Sequence, residues 1–157
     1  MSSTETHAAE PKAIIAMLNK CIETCIDGQK GYGEAEANVE DSTLKSIFQI
    51  RKHERFEFVF DLQAAVRQLG GEPEFDGTAA GTVHRGWMGL RRTASGHRDR
   101  AIVEEWARGE RAALKGYREA LKGAPLTTLP PKLRTMLQAQ YASIRAALDE
   151  ASSNLAH

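Results

Sequence analysis

The sequence predicts an all-α protein: four long helices in two hairpins, joined by one long crossover. Three observations predict it. Four stretches repeat apolar residues at spacings of three and four, the period of a helix with one buried face. Proline and glycine stand where those stretches begin and end. The first and second stretches, and the third and fourth, are separated by short turns, whereas about thirty residues separate the second from the third. Nothing in the chain reads as a strand.

Pro11 suits a first helical turn and opens a helix that runs to about Val39. Its inward stripe is Ile14, Leu18, Ile22, Cys25, Gln29, Tyr32, Glu36 and Val39. Gly28, Gly31 and Gly33 interrupt it, each about 1 kcal/mol less favourable than alanine in a helix, and they permit close approach by a neighbour. Asp41 or Ser42 caps the second helix, which ends at Gly70-Gly71. Leu44, Ile47, Phe48, Phe58, Leu62, Val66 and Leu69 supply its packing face. Phe56 and Phe60 face another way, so burial against an extra element or a second subunit is expected.

Between Gly71 and Asp99, Glu72-Pro73-Glu74 reads as loop and Thr78 to about Thr93 as a short helix carrying Val83, Trp87 and Leu90. The third long helix starts near Asp99 and stops at Gly123, with Ile102, Val103, Trp106, Glu110, Ala113, Tyr117 and Leu121 inward. Pro130-Pro131 starts the last helix, with Leu133, Leu137, Gln140, Ile144, Ala147, Leu148, Ala151 and Leu155 inward. The short helix of the crossover spans about 25 Å at 1.5 Å per residue, enough to return along the bundle and start the third helix parallel to the second. Four helices with one long crossover make a ferritin-like arrangement.

The chain's 157 residues suit one domain, expected over 11–157 behind a flexible tail at 1–10. Lys plus Arg equal Asp plus Glu at 21 each, so bulk charge selects no partner. Residues 1–10 are polar and lack a signal peptide's apolar segment, and the longest apolar run, Ala13–Leu18, falls short of the ~20 residues of a membrane span. A cytoplasmic chain without membrane association is expected. Cys21 and Cys25 lie four apart on one helix, where a disulfide would be strained, and read as small core residues.

Further stretches carry a resemblance. Leu18–Cys25 with Asp27-Gly28, Leu69–Pro73, His84–Leu90 (HRGWMGL), and Gly109-Glu110 with Tyr117–Leu121 cover nearly the whole chain. On these the chain resembles a bacterial family of uncharacterised four-helix-bundle proteins within the ferritin-like superfamily, a domain of unknown function. The resemblance implies the bundle fold and supplies no substrate.

The superfamily's di-metal chemistry takes one Glu from each of two helices and Glu-x-x-His from each of the other two. Here the inward polar positions are Gln29, Glu54 with Glu57, Glu110 and Gln140. Two are neutral amides, and no helix carries an inward Glu-x-x-His. Tyr32 and Tyr117 lie near this expected layer and are placed to donate hydroxyls to Glu110 or Gln29. The donor set predicts hydrogen bonding and helix register rather than tight metal, because neutral amides repay little of a cation's dehydration. No cofactor is therefore expected. Glu110→Gln should be mild or stabilising, and Glu110→Leu worse. The expected role is a non-catalytic, stress-associated interaction or assembly protein with a degenerate di-metal site. The alternative is an iron- or manganese-dependent oxidase using Glu54, Glu57 and Glu110. The sequence does not decide whether the chain is an enzyme, and weighs against it.

Arg85, Arg91, Arg92, Arg98 and Arg100, with His84 and His97, form a local basic strip around the crossover. It is short and the chain neutral, so nucleic acid is not the expected partner. Trp87 reads as a staple docking the crossover. A homo-oligomer, with a dimer favoured, or a protein partner is expected.

Overall fold

In the computed structural model, which describes residues 10–78, 87, 90 and 95–156, four long helices carry the chain. They are α1 (Pro11–Asn38), α2 (Ser42–Gln68), α3 (Ser95–Gly123) and α4 (Pro131–Leu155). A single 3₁₀ turn, Leu126–Thr128, lies between α3 and α4. No strand occurs among the described residues, and the protein is an all-α four-helix bundle.

The termini follow local chemistry. Pro11 occupies the first turn of α1, where a missing N–H leaves no bond unmade. Asp41 caps α2 by accepting from the Leu44 amide at 2.8 Å. Gly70, at φ +80°, takes the left-handed conformation that ends α2. The Gly70 amide then bonds the Arg67 carbonyl and the Gly71 amide the Val66 carbonyl, a Schellman closure. The third helix begins at Ser95, one turn before the expected Asp99. That leaves Asp99 inside the helix with its carboxylate free to accept from the Glu40 and Asp41 amides at 2.8 and 2.9 Å.

Those last bonds place the start of α3 beside the α1–α2 turn, so α3 runs parallel to α2 and antiparallel to α1. The crossover leaves α2 at the opposite end. Asn19 of α1 donates to the Glu72 carbonyl and accepts from the Glu74 amide, and Asp27 then accepts from the Thr78 amide and hydroxyl. The chain therefore climbs back along α1 from the level of Asn19 to that of Asp27. Trp87 is buried against the group containing Tyr32, Ala35 and Val39, higher still on α1. Trp87 and Leu90 are helical; the rest of the expected 78–93 helix, and the tail before Glu10, lie outside the described residues.

α1 packs against α2 and α3, and α4 against α3 and, more sparingly, α2. The helices thus form a square with α2 and α3 on one diagonal. Its apolar interior is divided in two. One cluster holds Leu18, Ile22 and Ile26 of α1, Val59 and Leu62 of α2, Leu114 of α3 and Leu137 of α4. The other holds Tyr32, Phe48, Trp87, Ile102, Trp106 and Ala151. On α2 the division falls between Phe48 and Val59, and on α3 between Ala107 and Ala113. Arg55 and Glu110 occupy those gaps.

Candidate functional site

Among the described residues the buried polar or charged side chains are Arg55, Glu110 and Gln140. Arg55 Nη2 donates to Glu110 Oε2 at 2.6 Å across the α2–α3 diagonal, with both side chains sealed from water. The other oxygen, Glu110 Oε1, accepts from the Tyr32 hydroxyl at 2.7 Å. That hydroxyl in turn accepts from Trp106 Nε1 at 2.8 Å. The guanidinium also lies over the Tyr32 ring, 5.5 Å from its centroid. Tyr32, Phe48 and Trp106 close around the group, with Phe48 and Trp106 edge-to-face at 5.1 Å.

Gly28 makes this arrangement fit. A Cβ there would stand 2.8 Å from Arg55 Nη1, so the α1 backbone leaves the space that the guanidinium fills. Gly116 likewise lets α3 approach Thr24 of α1, whose hydroxyl would lie 2.8 Å from an added Cβ. Burial works against the charge on Arg55, but Glu110 beside it, helped by Tyr32 and Cys25, holds its pKa above the usual arginine range. Burial, with the Glu110 charge behind it, holds the Tyr32 phenol far above its ordinary value. The group is therefore a fixed guanidinium–carboxylate pair with a neutral phenol on its flank.

A second, separate polar group lies toward α4. The Tyr117 hydroxyl donates to Gln140 Oε1 at 2.9 Å and lies 3.0 Å from Cys25 Sγ. With the hydroxyl proton committed to Gln140, the thiol is the donor to Tyr117. Burial pushes the Cys25 thiol up to about 11 and raises Cys21 further. Both cysteines are free and buried. Among the described residues Arg55 Nε and Nη1 and Gln140 Nε2 are buried without a hydrogen-bond partner, so polar capacity remains unused inside the bundle.

The expected layer of Gln29, Glu54, Glu57, Glu110 and Gln140 is only partly assembled at this level. Glu110 and Gln140 lie in the core, joined to Tyr32 and Tyr117 respectively. Glu54 does not. It sits half-buried between α2 and α4, bonded to Arg51 at 3.2 Å and to the Ser143 hydroxyl, while Arg51 also meets Glu150. Glu57 faces solvent and pairs with His53 at 3.1 Å. Gln29, one residue past the glycine that faces the core, is half-buried. The physical reason for Glu54 and Glu57 is rotation: on α2 Arg55 occupies the inward position, and each residue of displacement turns a side chain by about 100°. Of the basic strip, Arg98 is half-buried with its Nε unpartnered among the described residues, His97 is exposed, and Arg100 pairs with Glu104 at 3.4 Å. Arg85, Arg91, Arg92 and His84 lie outside the described residues.

The residues present do not fit a di-metal centre. Glu110 has both oxygens engaged by Arg55 and Tyr32, and an amide supplies the only donor from α4 in the buried layer. Among the described residues no three His, Cys, Asp or Glu converge as a metal site. A cleft of about 400 Å³ opens between α1 and α3 over this layer, lined by Gly28, Gly31, Tyr32, Trp106, Gly109 and Glu110 among others. Arg55 is the residue that sequence reasoning missed. A signal existed: Phe48, Arg55 and Leu62 are seven residues apart, so the stripe of α2 passes through position 55.

A family model described as "Domain of unknown function (DUF2383)" matches residues 13–123, which takes in α1, α2 and α3 with the crossover. No curated protein matches the chain. None of the described helices is long and apolar enough to cross a membrane.

Proposed function

The chain belongs to this family of unknown function, and within it we propose that it is a non-catalytic interaction or assembly protein whose core polar layer is a degenerate di-metal site. The carrying observation is the 2.6 Å pair of Arg55 and Glu110 inside the bundle. In a di-metal bundle the buried carboxylates are neutralised by cations taken from solution, and that exchangeable charge is what does chemistry. Here the counter-charge is a guanidinium supplied by α2 itself, which neither exchanges ligands nor changes oxidation state. The remaining polar groups, Tyr32, Trp106, Tyr117, Cys25 and Gln140, bond one another. Buried polar pairs of this kind specify which helix faces which.

The test is elemental analysis of protein purified without chelator and supplied with Fe²⁺ or Mn²⁺, together with oxygen uptake. Metal well below one ion per chain and background uptake are expected. Tightly held, near-stoichiometric metal that Glu110→Gln abolishes would support the oxidase alternative instead.

A further inference from the structure

Helix α2 has two apolar faces with different surroundings. Phe48, Leu62 and Val66 point into the core, whereas Ile50 and Phe60 on the outer side, and Phe56 on its flank, are 66%, 64% and 52% exposed. One such side chain is ordinary on a protein surface; Ile50 and Phe60 on the outer side, with Phe56 at its edge, form a patch. His53 stacks on Phe56 with ring centroids 6.5 Å apart and pairs with Glu57, so a basic and an acidic group sit in the middle of the apolar stripe.

The positions of a helix–helix seam can be followed along this face, with Ile50, Phe60 and Ala64 as its apolar members. Ser46, His53, Phe60 and Arg67 recur every seven residues, and Ile50, Glu57 and Ala64 follow the first three by four. We propose that a second copy of this chain docks here, α2 against α2, antiparallel about a two-fold axis at the level of Arg55. The proposal rests on the assembly reading above and names its partner and surface.

In an antiparallel seam the two seven-residue series face one another. With the axis at that level, His53 of each copy faces Glu57 of the other, Ile50 faces Phe60, and Ser46 faces Ala64. On each side of the axis an apolar pair, Ile50 with Phe60, lies beside a His53–Glu57 pair, and the small Ser46 and Ala64 meet at the ends. A two-fold interface requires such self-complementarity, since one patch must serve both sides. Parallel docking would set Glu57 on Glu57, which like-charge repulsion disfavours. The charge order along α2 thus selects a second copy, and selects its direction.

Sedimentation of the full chain should give a mass twice that of the 17.3 kDa monomer. Phe60→Glu should return it to monomer. Phe75→Glu, at an equally exposed phenylalanine (65%) in the crossover and off the stripe, should leave the dimer intact. Direction is read by oxidative cross-linking: a mixture of Ile50→Cys and Phe60→Cys chains should form a mixed disulfide dimer, while either alone remains uncross-linked. Cys21 and Cys25 are buried and do not interfere. A chain that is monomeric at all concentrations overturns the proposal. So does one that binds only a different protein through this face, or single-cysteine variants that each cross-link to themselves. A dimer indifferent to Phe60→Glu also overturns it but leaves assembly standing on another face. Metal analysis tests the non-catalytic reading separately.

Discussion

Arg55 and Glu110 meet at 2.6 Å from opposite corners of the bundle, at the level where α2 and α3 pass from one apolar cluster to the other. This relationship reverses an expectation. With Glu110 alone among amides and phenols, Glu110→Gln removes a buried charge and should be harmless. With Arg55 beside it, the same change strands a guanidinium that already has Nε and Nη1 unpartnered. Breaking one half of a buried pair is destabilising because the other charge stays where water cannot reach it. Glu110→Gln is therefore expected to lower stability.

Two glycines of α1 should respond to alanine with opposite signs. Among the described residues nothing lies within 4 Å of a Cβ added at Gly31, so Gly31→Ala should stabilise by about 0.5–1 kcal/mol through helix propensity. Gly28→Ala gains the same propensity but drives a methyl to 2.8 Å from Arg55 Nη1. The guanidinium is pinned by Glu110 and the Tyr32 ring and cannot swing away cheaply. Thermal melts should place Gly28→Ala below the unmodified protein and Gly31→Ala above it.

Tyr32→Phe deletes the hydroxyl that links Trp106 Nε1 to Glu110 Oε1. Two buried groups lose their partner, at a cost of about 1–3 kcal/mol. Tyr141, whose hydroxyl accepts from Arg118 at 3.1 Å near the surface, is the control. Tyr141→Phe should stay within about 0.5 kcal/mol of the parent in denaturant unfolding. Tryptophan emission should shift only in the Tyr32 variant.

The thiols predict a pH dependence. Burial raises the Cys25 pKa from 9.0 to about 11, so the folded chain keeps a proton that the unfolded chain gives up. That contribution is fully present below pH 9 and is lost as the pH climbs toward 11. Cys21 is raised in the same direction. Stability should therefore fall between those two pH values, and Cys25→Ala should flatten the slope. At neutral pH both thiols should resist alkylation until the protein is unfolded.

The helices were legible because their ends carry strong local chemistry: Pro11, Asp41, Gly70-Gly71 and Pro131 each act within one turn of backbone. The crossover's direction was legible from length alone. The core layer was only partly so. Glu110 and Gln140 stand on stripes whose neighbours are apolar, so periodicity assigns them inward. On α2 the run Arg51-Lys52-His53-Glu54-Arg55 offers five polar residues in succession, and composition does not say which of them turns inward. Preference for a carboxylate ligand points to Glu54; the seven-residue spacing of Phe48, Arg55 and Leu62 points to the residue beside it. Pairing across the diagonal is invisible to any one-helix pattern, which is why the glycine at 28 had a cost in the sequence and a purpose only in the structure.

The most direct measurement is a double-mutant cycle on Arg55 and Glu110, using Arg55→Met, Glu110→Leu and the two together in denaturant unfolding. If the core's cation is supplied by the chain itself, each single change should cost about 3–5 kcal/mol, by leaving one buried charge alone. The double variant should recover most of that loss, with the bundle intact by circular dichroism. Additive losses, with the double variant as weak as the sum of the singles, would mean that the two charges are not neutralising each other, and would contradict the account.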